Sequence, residues 1–319
     1  MQKLDVVTFG EAMAMFMAET PGPLHEIEHF TRELAGAETN VAIGLSRLGL
    51  KAGWASKVGS DAFGQFIMKR LTEENVDIEH VYTDERFPSG FQIKSKVLTG
   101  DPEVQYFRRG SAASFMGVED FQKEYFSNAR HLHMTGIPLA ISSHTRAFAY
   151  AALSHMKEIG RTVSFDPNLR PTLWTSKQEM IEITNKIAQK ADYVLPGISE
   201  GEILTGFNTP QDIASFYLDK GVKLVVIKLG DKGAFYKSGI EEGVVKPYEV
   251  KEVIDTVGAG DGFAVGLVSG LLENLSLQEA VLRGNAIGAL AVQSAGDNDG
   301  YPNRQQLSEY MKIPIQEVN

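Results

Sequence analysis

The sequence predicts an α/β fold: a mainly parallel sheet covered by helices on both faces, with a small second sheet beside it. Two observations carry this. From Arg130 onward, apolar β-rich runs at His131–Thr135, Thr162–Asp166, Asp192–Leu195 and Leu224–Lys228 alternate with helical patterns such as His144–Ile159 and Lys177–Lys190. Alternating β and α units build parallel sheets with helices on their faces. By contrast, Phe91, Ile93 and Val97 alternate with Gln92, Lys94 and Lys96, and Val104 to Arg109 returns after a turn at Gly100-Asp-Pro102. That period reads as a hairpin with one solvated face. It is the one strongly β-alternating passage between the α/β units.

The remaining elements follow in order. Leu4 to Phe9 reads as a buried first strand, stopped by Gly10. Met13 to Glu33 is mixed and turns at Pro21-Gly-Pro23. Phe30 and Leu34 flank polar residues, as in a sheet with one wet face. Ala35-Gly-Ala-Glu-Thr-Asn40 enters an amphipathic helix through Val41, Ala42, Ile43, Leu45 and Leu48, closed by Gly49. Ala52 to Val58 is a strand, and Gly59-Ser-Asp61-Ala-Phe-Gly64 is a loop before a helix through Leu71. Val76, Ile78 and Val81 mark an extended approach to the alternating passage. Gly230-Asp-Lys-Gly233 turns into a further strand pair. Helices are expected from Gly262 to about Leu272, over Leu277–Gln293 and over Pro302–Tyr310. No repeat, low-complexity tract or linker divides the chain, so residues 1–319 read as a single unit.

Composition excludes several functions. With 43% hydrophobic and 23% charged residues, the chain can bury a large core. A formal net charge of −10 argues against a general nucleic-acid or anionic-membrane binder. The absence of cysteine removes disulfides, thiolate nucleophiles and Cys-based metal sites. The N-terminus lacks a signal-peptide apolar region and no run approaches membrane-spanning length. The expectation is a soluble cytoplasmic protein.

The chemistry concentrates at Asp255-Thr-Val-Gly-Ala-Gly-Asp261-Gly-Phe, followed by a small-residue apolar run. A Gly-rich loop opening into a helix offers unpaired N–H groups and positive dipole potential to an anion. Asp261 can be read as a simple N-cap. A carboxylate beside a bound anion repels it, however, so the position gains only if the acid handles a proton next to a phosphate. Ligands of open parallel sheets sit outside the carboxyl ends of the strands. There the chain places Gly10-Glu11, Asp166-Pro-Asn168-Leu-Arg170, Pro196-Gly-Ile-Ser-Glu200 and Gly230-Asp-Lys-Gly233.

Rival motifs fare worse. No GxxxxGK[ST] loop occurs, and an acid within Gly258-Ala-Gly260-Asp-Gly262 would crowd a dinucleotide pyrophosphate. His131 and His133 share a strand face but lack a third ligand at clear spacing, which favours a structural role. There is no GxSxG elbow. Tyr106 and Arg108 share one strand face and Arg109 takes the other. That pattern fits a solvated edge strand. It equally fits a clamp for an anionic substrate, since Arg offers a planar fork to a carboxylate, and Arg170 could add a second positive group.

Val257-Gly-Ala-Gly-Asp261-Gly-Phe263 resembles the C-terminal signature of the ribokinase-like (PfkB) carbohydrate kinases. Ala35-Gly36-Ala-Glu-Thr-Asn40-Val-Ala42 resembles their N-terminal glycine motif, and Gly59-x-Asp61-x-x-Gly64 also fits. The resemblance runs from about Val6 to Pro302. Within the family, Tyr106-Phe-Arg108-Arg-Gly-Ser-Ala-Ala, Asp166-Pro-Asn-Leu-Arg170-Pro-x-Leu-Trp174 and Pro196-Gly-x-x-Glu200-Gly resemble the 2-keto-3-deoxygluconate kinases, although fructokinases share much of the Asp-Pro-Asn-x-Arg loop.

The resemblance implies a Rossmann-like body and a small β-sheet lid from residues 12–34 and 88–112, often the dimer contact in such proteins and so a route to a homo-oligomer. It implies ATP and Mg²⁺ as cofactors, and phosphorylation of a sugar-acid hydroxyl. Carried over, Asp261 is the base, and the N–H groups of Gly258, Ala259 and Gly260 form an anion hole. Gly36, Asn40, Tyr106, Arg108, Arg170 and Asp297 meet the substrate. Asn168, Lys228, Gly230, Asp231 and Gly233, with Gly258 and Gly260, meet ATP. Glu200 organises Mg²⁺ through water. The chain departs from the wider family at Gly197, where Asn-x-x-Glu is usual, at Ala35-Gly36 in place of a Gly-Gly pair, and at Gln92, near where related kinases place an aromatic. The alternatives are a fructokinase or other sugar kinase, and a sugar-binding regulatory protein of the same fold. Against the latter, pure binding has no need of a base at Asp261.

Overall fold

Thirteen strands fall into two sheets in the computed structural model, which describes residues 4–97 and 102–312. In chain order they are β1 Leu4–Phe9, β2 Met13–Pro21, β3 Phe30–Ala35, β4 Ala52–Gly59, β5 Val81–Asp84, β6 Phe91–Lys96 and β7 Val104–Phe107. β8 Ala129–Thr135, β9 Thr162–Asp166, β10 Tyr193–Val194, β11 Leu224–Lys228, β12 Ala234–Ser238 and β13 Glu242–Val245 complete the set. The main sheet has the order β13-β12-β11-β10-β9-β8-β1-β4-β5. It is parallel from β11 to β5, with β12 and β13 antiparallel at one edge. The small sheet, β3-β2-β6-β7, is mixed: β2 lies parallel to β6, and the outer pairs are antiparallel.

Successive strand residues point to opposite faces, so a strand covered on both sides must be apolar throughout. β1 shows this directly. Val6 joins one core with Leu45, Trp54, Val226 and Leu267, whereas Val7 and Phe9 join the other with Leu132, Phe148 and Phe165. The Ala37–Arg47 and Ala259–Leu272 helices supply the first core, and the Ser143–Glu158 helix the second. The chain leaves β1 toward β4 and later returns to β8 on its other side. Such a reversal opens a crevice at the carboxyl ends of the strands.

Four expectations are corrected. The helix anticipated from Gly262 begins at Ala259, because Gly258 adopts φ 82° and stops the preceding loop there; Asp261 is thus the third helical residue and not the N-cap. Strand β10 is two residues long, and the approach near Val81 is itself the edge strand β5. The polar face of the 88–112 passage is buried at Gln92 and Lys94, 5% and 3% exposed, and solvated at Lys96. Lys94 faces inward because buried acids pair with it, as described below. The expected turn at Gly100-Asp101 lies outside the described residues. Among the described residues no helix is long and apolar enough to cross a membrane.

Candidate active site

A cavity of about 520 Å³ lies between the two sheets, lined by the carboxyl-terminal ends of main-sheet strands on one side and by β6 and β7 on the other. Its floor is the start of the Ala259–Leu272 helix. Gly258 is required there for two reasons. Its φ of 82° disfavours any side chain, and a Cβ would come within 1.9 Å of the Asp297 carbonyl oxygen. The first-turn N–H groups of a helix have no intrahelical acceptor. Ala259 N–H makes only a long 3.5 Å contact with the Thr256 carbonyl. The helix dipole adds positive potential at the same point.

Asp261 projects from this turn and is 8% exposed. Asn40 Nδ2 donates to its Oδ2 at 2.9 Å, and Asn168 Nδ2 to its Oδ1 at 3.3 Å. Asn40 reaches the site because Gly36, at φ 150°, starts the Ala37–Arg47 helix beside Glu11. Burial drives the Asp261 carboxyl up to about 7; the Asn40 hydrogen bond opposes this, Asp166 adds to it, and Arg170 and Lys228 oppose it. A carboxylate with that value is poised to gain or lose a proton at neutral pH.

Beyond Asp261 stand the ends of β9 and β11. Lys228 Nζ donates to Asp166 Oδ2 at 2.6 Å and sits 3.4 Å from where a Gly260 Cβ would be, so its ammonium borders the helix start. Burial opposes that charge, but Asp166, Glu200 and Asp261 hold the ammonium above its ordinary range. Asn168 takes the left-handed conformation, φ 40°, stabilised by its N–H donating to Asp166 Oδ1 at 3.2 Å. Glu200 accepts from Leu169 N–H and from Gly197 N–H, both at 2.7 Å. The second contact is a helix-capping interaction, and it needs only the backbone of Gly197. Arg170 is exposed and donates to the Leu169 carbonyl at 3.0 Å.

The small-sheet wall is more fully paired than its sequence suggests. Arg108 donates from Nε to Glu11 Oε2 at 2.7 Å, and its Nη2 lies 2.6 Å from the same oxygen. Tyr106, 47% exposed, shares its face, with the Arg108 guanidinium 5.8 Å from the ring centroid. Lys94 Nζ pairs with Asp255 Oδ2 and, at 3.2 Å, with Asp297 Oδ1. Burial raises the Asp297 carboxyl, and Lys94 opposes it. Sequence reasoning missed Lys94, Asp255 and the pairing role of Glu11. A signal existed for Lys94: it shares the inward strand face with Gln92, which in turn is opposite Tyr106.

The cavity brings together Gly36, Asn40, Tyr106, Arg108, Asn168, Arg170, Glu200, Lys228, Gly258, Gly260, Asp261 and Asp297. It does not include Gly230, Asp231 or Gly233, which occupy the short turn between β11 and β12. The strand histidines are structural. His131 Nε2 and His133 Nδ1 both meet Ser164 Oγ, at 2.7 and 2.8 Å. Burial holds both imidazoles neutral, pushed down to about 3. No group of three or more acidic or histidine side chains that could hold a metal occurs among the described residues.

The donor set fits a phosphate chain with a divalent cation. Free N–H groups and a lysine ammonium suit phosphate oxygens, and Glu200 keeps lone pairs for water around a cation. The architecture is a crevice at the carboxyl ends of a parallel sheet, covered by a second, small sheet. Residues 3–304 match the pfkB family carbohydrate kinase pattern, and the chain belongs to that family of enzymes. It is 51% identical to the 2-dehydro-3-deoxygluconokinase of Bacillus subtilis (strain 168) over 310 residues, covering 97% of this chain and 96% of the relative. Its fold matches the crystal structure of a PfkB protein from Polaromonas sp. JS666 with a TM-score of 0.90 at 50% identity, covering 96% and 99% of the two chains. A putative ribokinase II from E. coli, solved in complex with ATP and Mg²⁺, matches with a TM-score of 0.90 at 27% identity, over 97% and 99%.

Proposed function

We propose that the chain catalyses ATP-dependent phosphorylation of 2-keto-3-deoxygluconate to 2-keto-3-deoxy-6-phosphogluconate. The observation that carries a phosphotransfer reading is Asp261, a buried carboxyl near neutrality held against an anion-binding helix start. The substrate reading draws on the name of the 51% identical relative. Phosphoryl transfer is chiefly positioning and charge stabilisation. The N–H groups of residues 258–260 and Lys228 meet the phosphate charge, each well-placed donor contributing ~3 kcal/mol. Glu200 would hold Mg²⁺ through water, and the cation would supply neutralisation of the phosphate oxygens. Asp261 accepts the proton of the attacking hydroxyl, while Asn40 and Asn168 hold its two oxygens. The small sheet acts as a lid that excludes water, limiting ATP hydrolysis.

One observation favours a second reading. Arg108 is already neutralised by Glu11, so the anionic end of a sugar acid would rely on Arg170 or displace Glu11. A neutral-sugar kinase, such as a fructokinase, needs neither. An ADP-release assay across keto-deoxygluconate, fructose and ribose decides between them. Preference for fructose would overturn the sugar-acid reading. Absence of ADP release with all three would leave the regulatory-protein alternative. For the mechanism, Asp261→Asn should lower kcat by roughly 10²-fold or more with ATP binding retained.

A further inference from the structure

Residues 297–301 strap the loop that carries Asp261. The Asp297 carbonyl packs on Gly258, Tyr301 Oη donates to the Gly258 carbonyl at 2.6 Å, and Arg47 Nη1 donates to the carbonyls of Asn298 and Tyr301 at 2.7 and 3.2 Å. Inside the strap, the buried Asn298 donates from Nδ2 to Asn40 Oδ1 at 2.9 Å, and the same Nδ2 lies 3.5 Å from the Leu34 carbonyl. Asn298 is not among the residues lining the cavity.

A primary amide has two different ends. Asn40 can offer its NH₂ to Asp261, which stabilises the carboxylate, or its carbonyl, which stabilises the carboxylic acid. Asp261 does not choose between them, because it takes either form near neutrality. The choice is made further out. The Leu34 carbonyl only accepts, so the end of Asn298 turned toward it is the NH₂. That NH₂ engages Asn40 Oδ1 and leaves Asn40 Nδ2 for Asp261.

We propose that Asn298 is a positioning residue for phosphoryl transfer: through Leu34 and Asn40 it fixes the amide orientation that keeps Asp261 in its proton-accepting form. The proposal rests on Asp261 being the base. The other charged or titratable groups facing Asp261 are Asp166 and Lys228 at the ends of β9 and β11, Arg170 of the intervening loop, and Tyr301 of the strap. Of these, only Tyr301 shares the strap with residue 298, and the backbone carbonyls of both are held by Arg47.

The test uses the full-length enzyme and the pH dependence of kcat/KM for whichever sugar it turns over. Asn298→Leu keeps the volume and removes the donor. It should shift the acidic limb upward by about one pH unit, the size of one hydrogen bond to a charged form, with KM for ATP unchanged. An unmoved limb in a folded Leu variant overturns the proposal. If that variant does not fold, Asn298→Ala carries the same comparison. The underlying reading fails separately: full turnover by Asp261→Asn removes the base whatever residue 298 does.

Discussion

Asp261 combines two requirements that pull apart. Burial at the helix start raises its carboxyl to about 7, and the proposed role as base needs the deprotonated form. Below that value the free enzyme carries the proton on Asp261. The kcat/KM profile should therefore rise about tenfold per pH unit in acid and level off near pH 7; a profile flat from pH 5 to 8 would exclude Asp261 as the titrating base. The same burial costs stability. Because the folded value is raised, the cost is absent below the ordinary aspartate range and complete above about pH 7. Asp261→Asn should thus melt at a higher temperature than wild type at pH 8, with the gap closing toward pH 4. Calorimetry at both pH values checks this. Asp261 was legible in the sequence because glycines flank it where a helix begins. Glu11 was visible only as a polar residue after a strand, since nothing local announces a partner 97 residues away.

Elements carry the next lesson. Strand β6 was legible as a strand from its alternation, but the wet face was assigned wrongly. Period-two patterning says which residues share a face and is silent on what that face meets. Here it meets Asp255 and Asp297, which make Lys94 a buried tie between the small sheet and the loop below Gly258. Removing one partner of a buried ion pair leaves the others uncompensated. Lys94→Met should cost about 3–5 kcal/mol by denaturant unfolding, and adding Asp255→Asn should return part of that loss. A cost under about 1 kcal/mol would mean that water enters and the tie is not energetically buried. The boundary of the Ala259–Leu272 helix was misread for a related reason. Glycine-rich sequence marks a loop, but only backbone conformation shows that Gly258 alone stops it.

Across the whole molecule, buried groups of opposite kinds offset one another. His131 and His133 stay neutral in the fold, so stability is lost as pH falls below their ordinary value, where the unfolded chain takes up protons. Glu38 is driven up to about 7 by burial, moderated by its Thr135 hydrogen bond, and with Asp261 it acts the other way: stability falls as pH rises toward 7. Asp297, also raised by burial, adds to the acids, so the imidazoles offset the acids only in part over this interval. The melting temperature should therefore not rise from about pH 5 to about 6.5. Asp261→Asn removes one acid, and relative to wild type its stability should decline on acidification across that range. Equal slopes for the two proteins would contradict the assignment. The alternation of strands and helices was readable from apolar runs, but the sheet order and this balance were not, because strand neighbours and the burial of a titratable group belong to the packed chain.

The strap over the Asp261 loop also bears on how the enzyme comes into being. Asp261 is held by Asn40, 221 residues earlier, and Asn40 by Asn298, 258 residues later. A chain emerging from the ribosome has both glycine motifs before it has residues 297–301. Until those residues appear, Gly258 lacks its packing partner and Asn40 lacks its Asn298 contact. On the proposed mechanism, a nascent or truncated chain ending before Asp297 would carry both glycine motifs and still lack the oriented base. In that proposal, a segment synthesised after both motifs completes the site.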